Sequence, residues 1–169
     1  MIGLIMMLLW LFQQKIFFTQ LRPGLHEKPF FIYKFATMYP LKKNEIEGDG
    51  QWERVTPLGH FLRKTSLDEL PQLWNILKGD MSLVGPRPLM MDWLENYTDA
   101  QRKRQTVLPG ITGWAQINGR NLISFPKKFE YDVWYVENKS HFLDIKIMLL
   151  TIFILFDFQK VVPKPIDEA

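Results

Sequence analysis

Two adjacent carboxylates, Asp68 and Glu69, stand five residues after Arg63 and ahead of Arg87, which is locked between Pro86 and Pro88. An acidic pair with guanidinium groups close in sequence suits the handling of a phosphate and a divalent cation. One carboxylate can attack phosphorus while the other holds metal, and a planar guanidinium matches phosphate oxygens two at a time. The flanking prolines restrict the Arg87 loop, which lowers the entropy lost when that side chain clamps an anion. Arg63 could add a second cation; read singly, Arg63-Lys64 is a solvated basic face.

The elements that must position these groups follow from periodicity. Leu70, Leu73, Trp74 and Leu77 recur at i, i+3, i+4 and i+7, which predicts the buried face of a helix stopped by Gly79. Pro71 is tolerated only in a first turn, so that helix is expected to start near Ser66 to Asp68. The acids then have two readings. Ser66-x-x-Glu69 matches a capping box, and acids in a first turn complement the macrodipole. Alternatively, the helix N-terminus keeps Asp68 anionic and offers free N–H groups to a phosphate. Neighbours on a helix project about 100° apart, so the two carboxylates cannot share one task side by side.

Around this helix, Phe30 to Phe35 reads as a strand carrying Lys34, Lys42 to Gly50 as a charged loop, His60 to Lys64 as a basic amphipathic piece, and Met81 to Val84 as extended chain. Gly110, Gly113 and Gly119 either allow a ligand close to the backbone, with Gln116 and Asn118 reading a base or sugar, or build a turn-rich loop. Phe129, Val133 and Val136 predict the core face of a later helix, on which Asp132 and Tyr135 are i, i+3 and could face the site. The run Gln101 to Gln105 (QRKRQ) reads as a solvated face, with attraction to anionic lipid as its alternative.

Composition bounds these readings. With 169 residues and 47% hydrophobic content, one substantial core and a single domain are expected. The expected fold class is α/β (α+β), mainly helical with short strands. A net charge of +3 favours anionic partners mildly and does not indicate nucleic acid. Cysteine is absent, and His26, His60 and His141 share no zinc-type spacing. Met1 to Phe12 is apolar throughout, but at ~1.5 Å per residue it falls well short of the roughly 20 residues that a bilayer core demands. It reads as an interfacial, re-entrant or buried helix. Ile145 to Phe158 is apolar almost all round, against protein or lipid.

The order of the motifs adds a resemblance. FFTQLRPG (Phe17 to Gly24), IYKFATM (Ile32 to Met38), the long run from Arg54 to Pro88, PGITGWAQINGRN (Pro109 to Asn121) and the stretch from Lys128 to Met148 together resemble the bacterial sugar transferase family, the monotopic polyprenyl-phosphate phosphoglycosyl transferases of the small single-domain type. The resemblance implies transfer of a sugar-1-phosphate from a nucleotide diphosphosugar to polyprenyl phosphate at the cytoplasmic face of the bacterial inner membrane. It implies Asp68 as nucleophile, Glu69 (with Asp68) as Mg2+ ligand, and Arg63, Arg87 and Lys34 on the substrate phosphates. It also implies a membrane-associated segment over residues 1–16 and a catalytic domain over 17–169, with membrane lipid as a partner. Members usually begin with a longer, kinked hydrophobic segment, of which Met1 to Phe12 resembles the returning limb. An inactive membrane-interface or assembly protein derived from the family is therefore the alternative expectation. Ala36 and His60 stand where basic residues are frequent in the family, which bears on phosphate binding.

Overall fold

The computed structural model describes residues 3, 5–7, 9, 15–40, 53–119 and 123–156. The expected loop Lys42 to Gly50 lies outside them. The fold is a mixed helix and short-strand assembly, as the sequence predicts. Strand β1 (Phe17–Pro23) pairs antiparallel with β2 (Pro29–Phe35), in the register Phe18↔Lys34, Gln20↔Ile32 and Arg22↔Phe30. Directly paired residues share a sheet face, so Arg22 and Lys34 point the same way as Phe30 and Ile32. The hairpin turns through His26 and Glu27, both at positive φ.

Helix α1 (Pro57–Lys64) is capped by the Thr56 side chain, which accepts from the Gly59 amide at 2.9 Å. A 3-10 turn, Leu67–Glu69, leads to α2 (Gln72–Leu77). The expected uninterrupted helix from Ser66 does not form, because Ser66 is left-handed at φ 56° and α2 begins only after Pro71. Gly79 is left-handed at φ 79° and ends the helical run as expected.

The orientation of α2 reverses the sequence expectation. Gln72 and Asn75 are buried, whereas Leu73, Trp74 and Leu77 are 43%, 58% and 79% exposed. The reason lies in Asn75, whose amide nitrogen donates to the Phe31 carbonyl at 2.7 Å while its oxygen accepts from the Tyr33 amide at 3.1 Å. Those bonds satisfy backbone groups along β2 that would otherwise be left open, and they dock α2 by its polar side. Leu70 alone of the expected apolar face packs inward, against a cluster of Ile5, Leu9, Phe35 and Leu62.

Strands β3 (Ser82–Val84) and β4 (Gly110–Thr112) pair in parallel. Short helices α3 (Asp99–Arg102) and α4 (Trp114–Ile117) precede the longer α5 (Phe125–Asn138) and α6 (His141–Phe156). Val84, Tyr135, Leu143 and Ile147 form the core that joins β3 to α5 and α6. Residues 3, 5–7 and 9 are helical, with Ile5 and Leu9 buried. Among the described residues no helix is long and apolar enough to cross a membrane.

Candidate active site

Glu69 is where three elements meet. The Ser66 side chain caps nothing, so the expected capping box is absent. The Glu69 carboxylate instead reaches across to β2 and to the loop after β3. It accepts from Lys34 Nζ at 2.8 Å and from Arg87, whose Nη1 lies 3.3 Å from Oε2 and whose Nη2 closes on Oε1. Burial alone would raise the Glu69 carboxyl, but the charges and hydrogen bonds of Arg87 and Lys34 outweigh it and hold the group well below the usual range.

Asp68, one residue earlier, is in a different state. It is buried, and no side-chain hydrogen bond holds its carboxylate among the described residues. Burial and then the Glu69 charge raise it, against the pull of Lys34, Arg87 and Arg63. A carboxylate stripped of donors but surrounded by cations is more basic than one in water and still electrostatically steered. The two acids thus differ in environment, one raised and the other lowered.

Arg63 comes from α1, where its Nε donates to Thr37 Oγ1 at 2.9 Å. It is half-buried and acts on Asp68 by charge, which corrects the solvated-face reading for Arg63, whereas Lys64 is exposed. Arg87 is held by its backbone. The Gly110 amide donates to Pro86 O at 3.0 Å, and Arg104 Nη2 donates to Arg87 O. Arg104 is buried at 2% exposure, so the QRKRQ run is not a solvated face at this residue or at Gln105. Its guanidinium also binds Tyr97 Oη and Asp132 Oδ2, each at 2.7 Å.

Asp132 accordingly stands behind the Arg87 loop, paired with Arg104 rather than with any member of the Glu69 cluster. Burial pushes its carboxyl up to about 6, against the opposing charge and hydrogen bond of Arg104. Tyr135 is a core residue, donating to Asp144 Oδ1 at 2.7 Å with Val84 O at 3.3 Å. Gln116 and Asn118 bond locally, to Ile111 O at 3.5 Å and Trp114 O at 2.8 Å. Of the residues expected at the site, Asp68, Glu69, Lys34, Arg63 and Arg87 converge, and these four others bond elsewhere.

The expected ligand approach of Gly110 and Gly113 gives way to backbone packing. A Cβ on Gly110 would lie 2.0 Å from Gly85 N, and one on Gly113 would lie 2.2 Å from Gly85 O. Among the described residues no three His, Cys, Asp or Glu side chains converge as a metal cage. Asp68 and Glu69 offer two carboxylates, which fits Mg2+, an ion that takes one or two from the protein and completes its shell with water and substrate phosphate.

Two further residues were not singled out from the sequence. Arg22 and Gln72 join Ile32, Lys34, Arg87, Pro88 and Leu89 around a cavity of about 110 Å³ beside Glu69. Arg22 lies in a motif quoted above, but only the strand register turns it toward Lys34.

A family model described as bacterial sugar transferase matches residues 1–158. The chain belongs to the bacterial sugar transferase family. Among bacterial sugar transferases it is similar to EpsL of Bacillus subtilis, 60% identical over 137 residues that cover 81% of this chain and 68% of that protein. It is also similar to the undecaprenyl-phosphate galactose phosphotransferase of Salmonella typhimurium, 43% identical over 77% of this chain and 31% of that protein. The UDP-glucose:undecaprenyl-phosphate glucose-1-phosphate transferase of Escherichia coli is 42% identical over 82% of this chain and 32% of its own length. The chain therefore spans about a third of the two relatives whose names state a reaction. Of the two departures from the family pattern, Ala36 is buried with its amide bound to Ile16 O at 2.9 Å, and His60 is exposed on α1.

Proposed function

We propose that this bacterial sugar transferase moves a sugar-1-phosphate from a nucleotide diphosphosugar to polyprenyl phosphate, with Asp68 as nucleophile. The observation that carries the reading is the contrast at the dyad, a buried Asp68 carboxylate to which no side chain of the described residues donates, beside a Glu69 carboxylate tied to Lys34 and Arg87. An Asp68 oxygen attacks the phosphorus next to the sugar, and the bond from that phosphorus to the nucleotide's remaining phosphate breaks. Nucleoside monophosphate leaves, and an aspartyl phosphosugar remains. A phosphate oxygen of the polyprenyl acceptor then attacks the same phosphorus, expelling the Asp68 carboxylate and leaving a polyprenyl diphosphosugar.

Lys34, Arg63 and Arg87 lower the repulsion between a carboxylate and a polyanionic substrate, and the fixed Arg87 loop keeps that charge in place without reorganisation. Mg2+ would be held by Asp68 and Glu69 together with phosphate oxygens, and when bound it neutralises charge developing on the leaving nucleotide. The relatives named for undecaprenyl phosphate, galactose and UDP-glucose support a UDP-sugar donor and a polyprenyl acceptor. A lipid-borne acceptor needs a membrane-facing surface. The outward Leu73, Trp74 and Leu77 of α2, together with Phe142, Ile145, Ile152 and Phe153 on α6, support that association. The cytoplasmic face of the inner membrane and a role in initiating polysaccharide or glycan synthesis follow from the same reading.

The test is release of UMP from UDP-glucose or UDP-galactose by the full chain with undecaprenyl phosphate and Mg2+. The wild type is expected to turn over and Asp68→Asn to lose it. Undiminished turnover by Asp68→Asn would remove Asp68 as nucleophile. Membrane binding without turnover by the wild type would favour the inactive interface protein.

A further inference from the structure

We infer that Arg22 and Gln72 form an accessory subsite for a phosphate monoester, separate from the dyad and opening onto it through Lys34 and Arg87. The inference rests on the function proposed above for the identity of its ligand, and on geometry for the existence of the site. Three elements that are distant in sequence build the cavity. The hairpin brings Arg22, Ile32 and Lys34 on one face, α2 brings Gln72, and the loop after β3 brings Arg87, Pro88 and Leu89. At about 110 Å³ the space holds a few waters at roughly 30 Å³ each, so it takes a phosphoryl group and not a whole nucleotide sugar.

The polar atoms around it are left waiting for a partner. Gln72 is 2% exposed, yet its amide Nε2 has no hydrogen-bond partner among the described residues. A buried amide without an acceptor is unfavourable unless something else fills the position. Arg22 Nε is likewise buried and unpartnered among the described residues, and Arg22 Nη2 donates to the neutral Gln20. Glu69 already answers Lys34 and Arg87, so Arg22 adds a positive charge with no carboxylate of its own among the described residues. Burial, and then the like charge of Arg87, depress the Arg22 guanidinium. An anion in the cavity would relieve that repulsion, and a small shift of either side chain would bring its orphaned donor onto it.

Two phosphates in the proposed reaction share this chemistry. One is carried by the acceptor, and the other leaves on the nucleoside monophosphate. Each must lie close to the phosphorus that Asp68 attacks, on its far side from the carboxylate. Neither role is filled by Lys34 or Arg87 alone while Glu69 holds both.

The experiment compares the wild-type full chain with Arg22→Gln and Gln72→Leu. Binding of inorganic phosphate, followed by 31P line broadening, reads the cavity without requiring turnover. Loss of a charge-assisted contact is expected to weaken it on the order of tenfold or more. Kinetics then assign the source. If the nucleotide phosphate occupies the cavity, KM for UDP-glucose or UDP-galactose and the inhibition constant of UMP rise about tenfold while KM for undecaprenyl phosphate holds. If the acceptor phosphate occupies it, the pattern reverses. Phosphate binding and both KM values within twofold of wild type in Arg22→Gln would overturn the inference, even with a fully active wild type. Weakened phosphate binding in the variants of a wild type that never turns over would instead keep the subsite and remove the function. Arg22 is half-buried on the hairpin, so its variant decides the matter should Gln72→Leu fail to fold.

Discussion

Glu69 and Asp132 are both carboxylates held by arginine, and they lie on opposite sides of the same loop, yet they are built for different work. Glu69 has two cationic partners, one of them an Arg87 side chain that is 44% exposed. Asp132 has one, an Arg104 side chain that is 1% exposed and also committed to Tyr97 and the Arg87 carbonyl. The first carboxyl is pulled far down, because its two neighbouring charges overcome burial. The second is pushed up to about 6, because the sealed Arg104 guanidinium and the charge of Lys128 do not. An ion pair that a substrate can enter suits binding. One that water cannot reach holds a loop in place and has little else to do.

Removing one partner of the sealed pair should give the largest effect on stability. Asp132→Ala leaves the Arg104 guanidinium buried without a counter-charge, and urea unfolding is expected to show a loss of about 3–5 kcal/mol. Glu69→Gln opens the solvent-reachable cluster. It should lose only about 1–3 kcal/mol in the same assay while UMP release falls much more steeply, the reverse of the balance expected for Asp132→Ala.

The pair also separates by pH. Asp132 binds its proton more tightly in the folded chain than in the unfolded one, where its ordinary value is 3.8, and its folded value is about 6. Its contribution to stability is therefore full below about 4 and is lost as pH rises to about 6. Unfolding free energies across that window should slope downward in wild type, and Asp132→Asn should remove that component. The smallest effect belongs to the outer face of α2. Leu77→Lys should move stability by less than about 0.5 kcal/mol in detergent, where an inward Leu77 would give a loss of several.

That last comparison marks where the sequence stopped being legible. The strand through Lys34, the extended stretch before Arg87, the core helix around Phe129 and the acidic dyad could all be read from residue types and spacing. The pattern Leu70, Leu73, Trp74 and Leu77 correctly announced an apolar helix face. Periodicity cannot say what such a face meets, and here two hydrogen bonds from Asn75 to β2 turned most of it outward. Capping geometry failed at Ser66 because a left-handed residue broke the helix before Glu69 could close the box. Arg104 was hidden in a charged run, and Arg22 and Gln72 are neighbours of Lys34 only through tertiary structure. Local chemistry was visible; long-range pairing was not.

Asp68, which accepts from no side chain among the described residues, is expected to become covalently loaded beside a Glu69 tied to Lys34 and Arg87. Intact-protein and peptide mass spectrometry of the full chain after exposure to UDP-glucose or UDP-galactose with Mg2+ and no acceptor tests it directly. A mass increase of one hexose phosphate is expected on the peptide containing Asp68, absent in Asp68→Asn and discharged by undecaprenyl phosphate. Turnover with no adduct at Asp68, or the same adduct in Asp68→Asn, would contradict it.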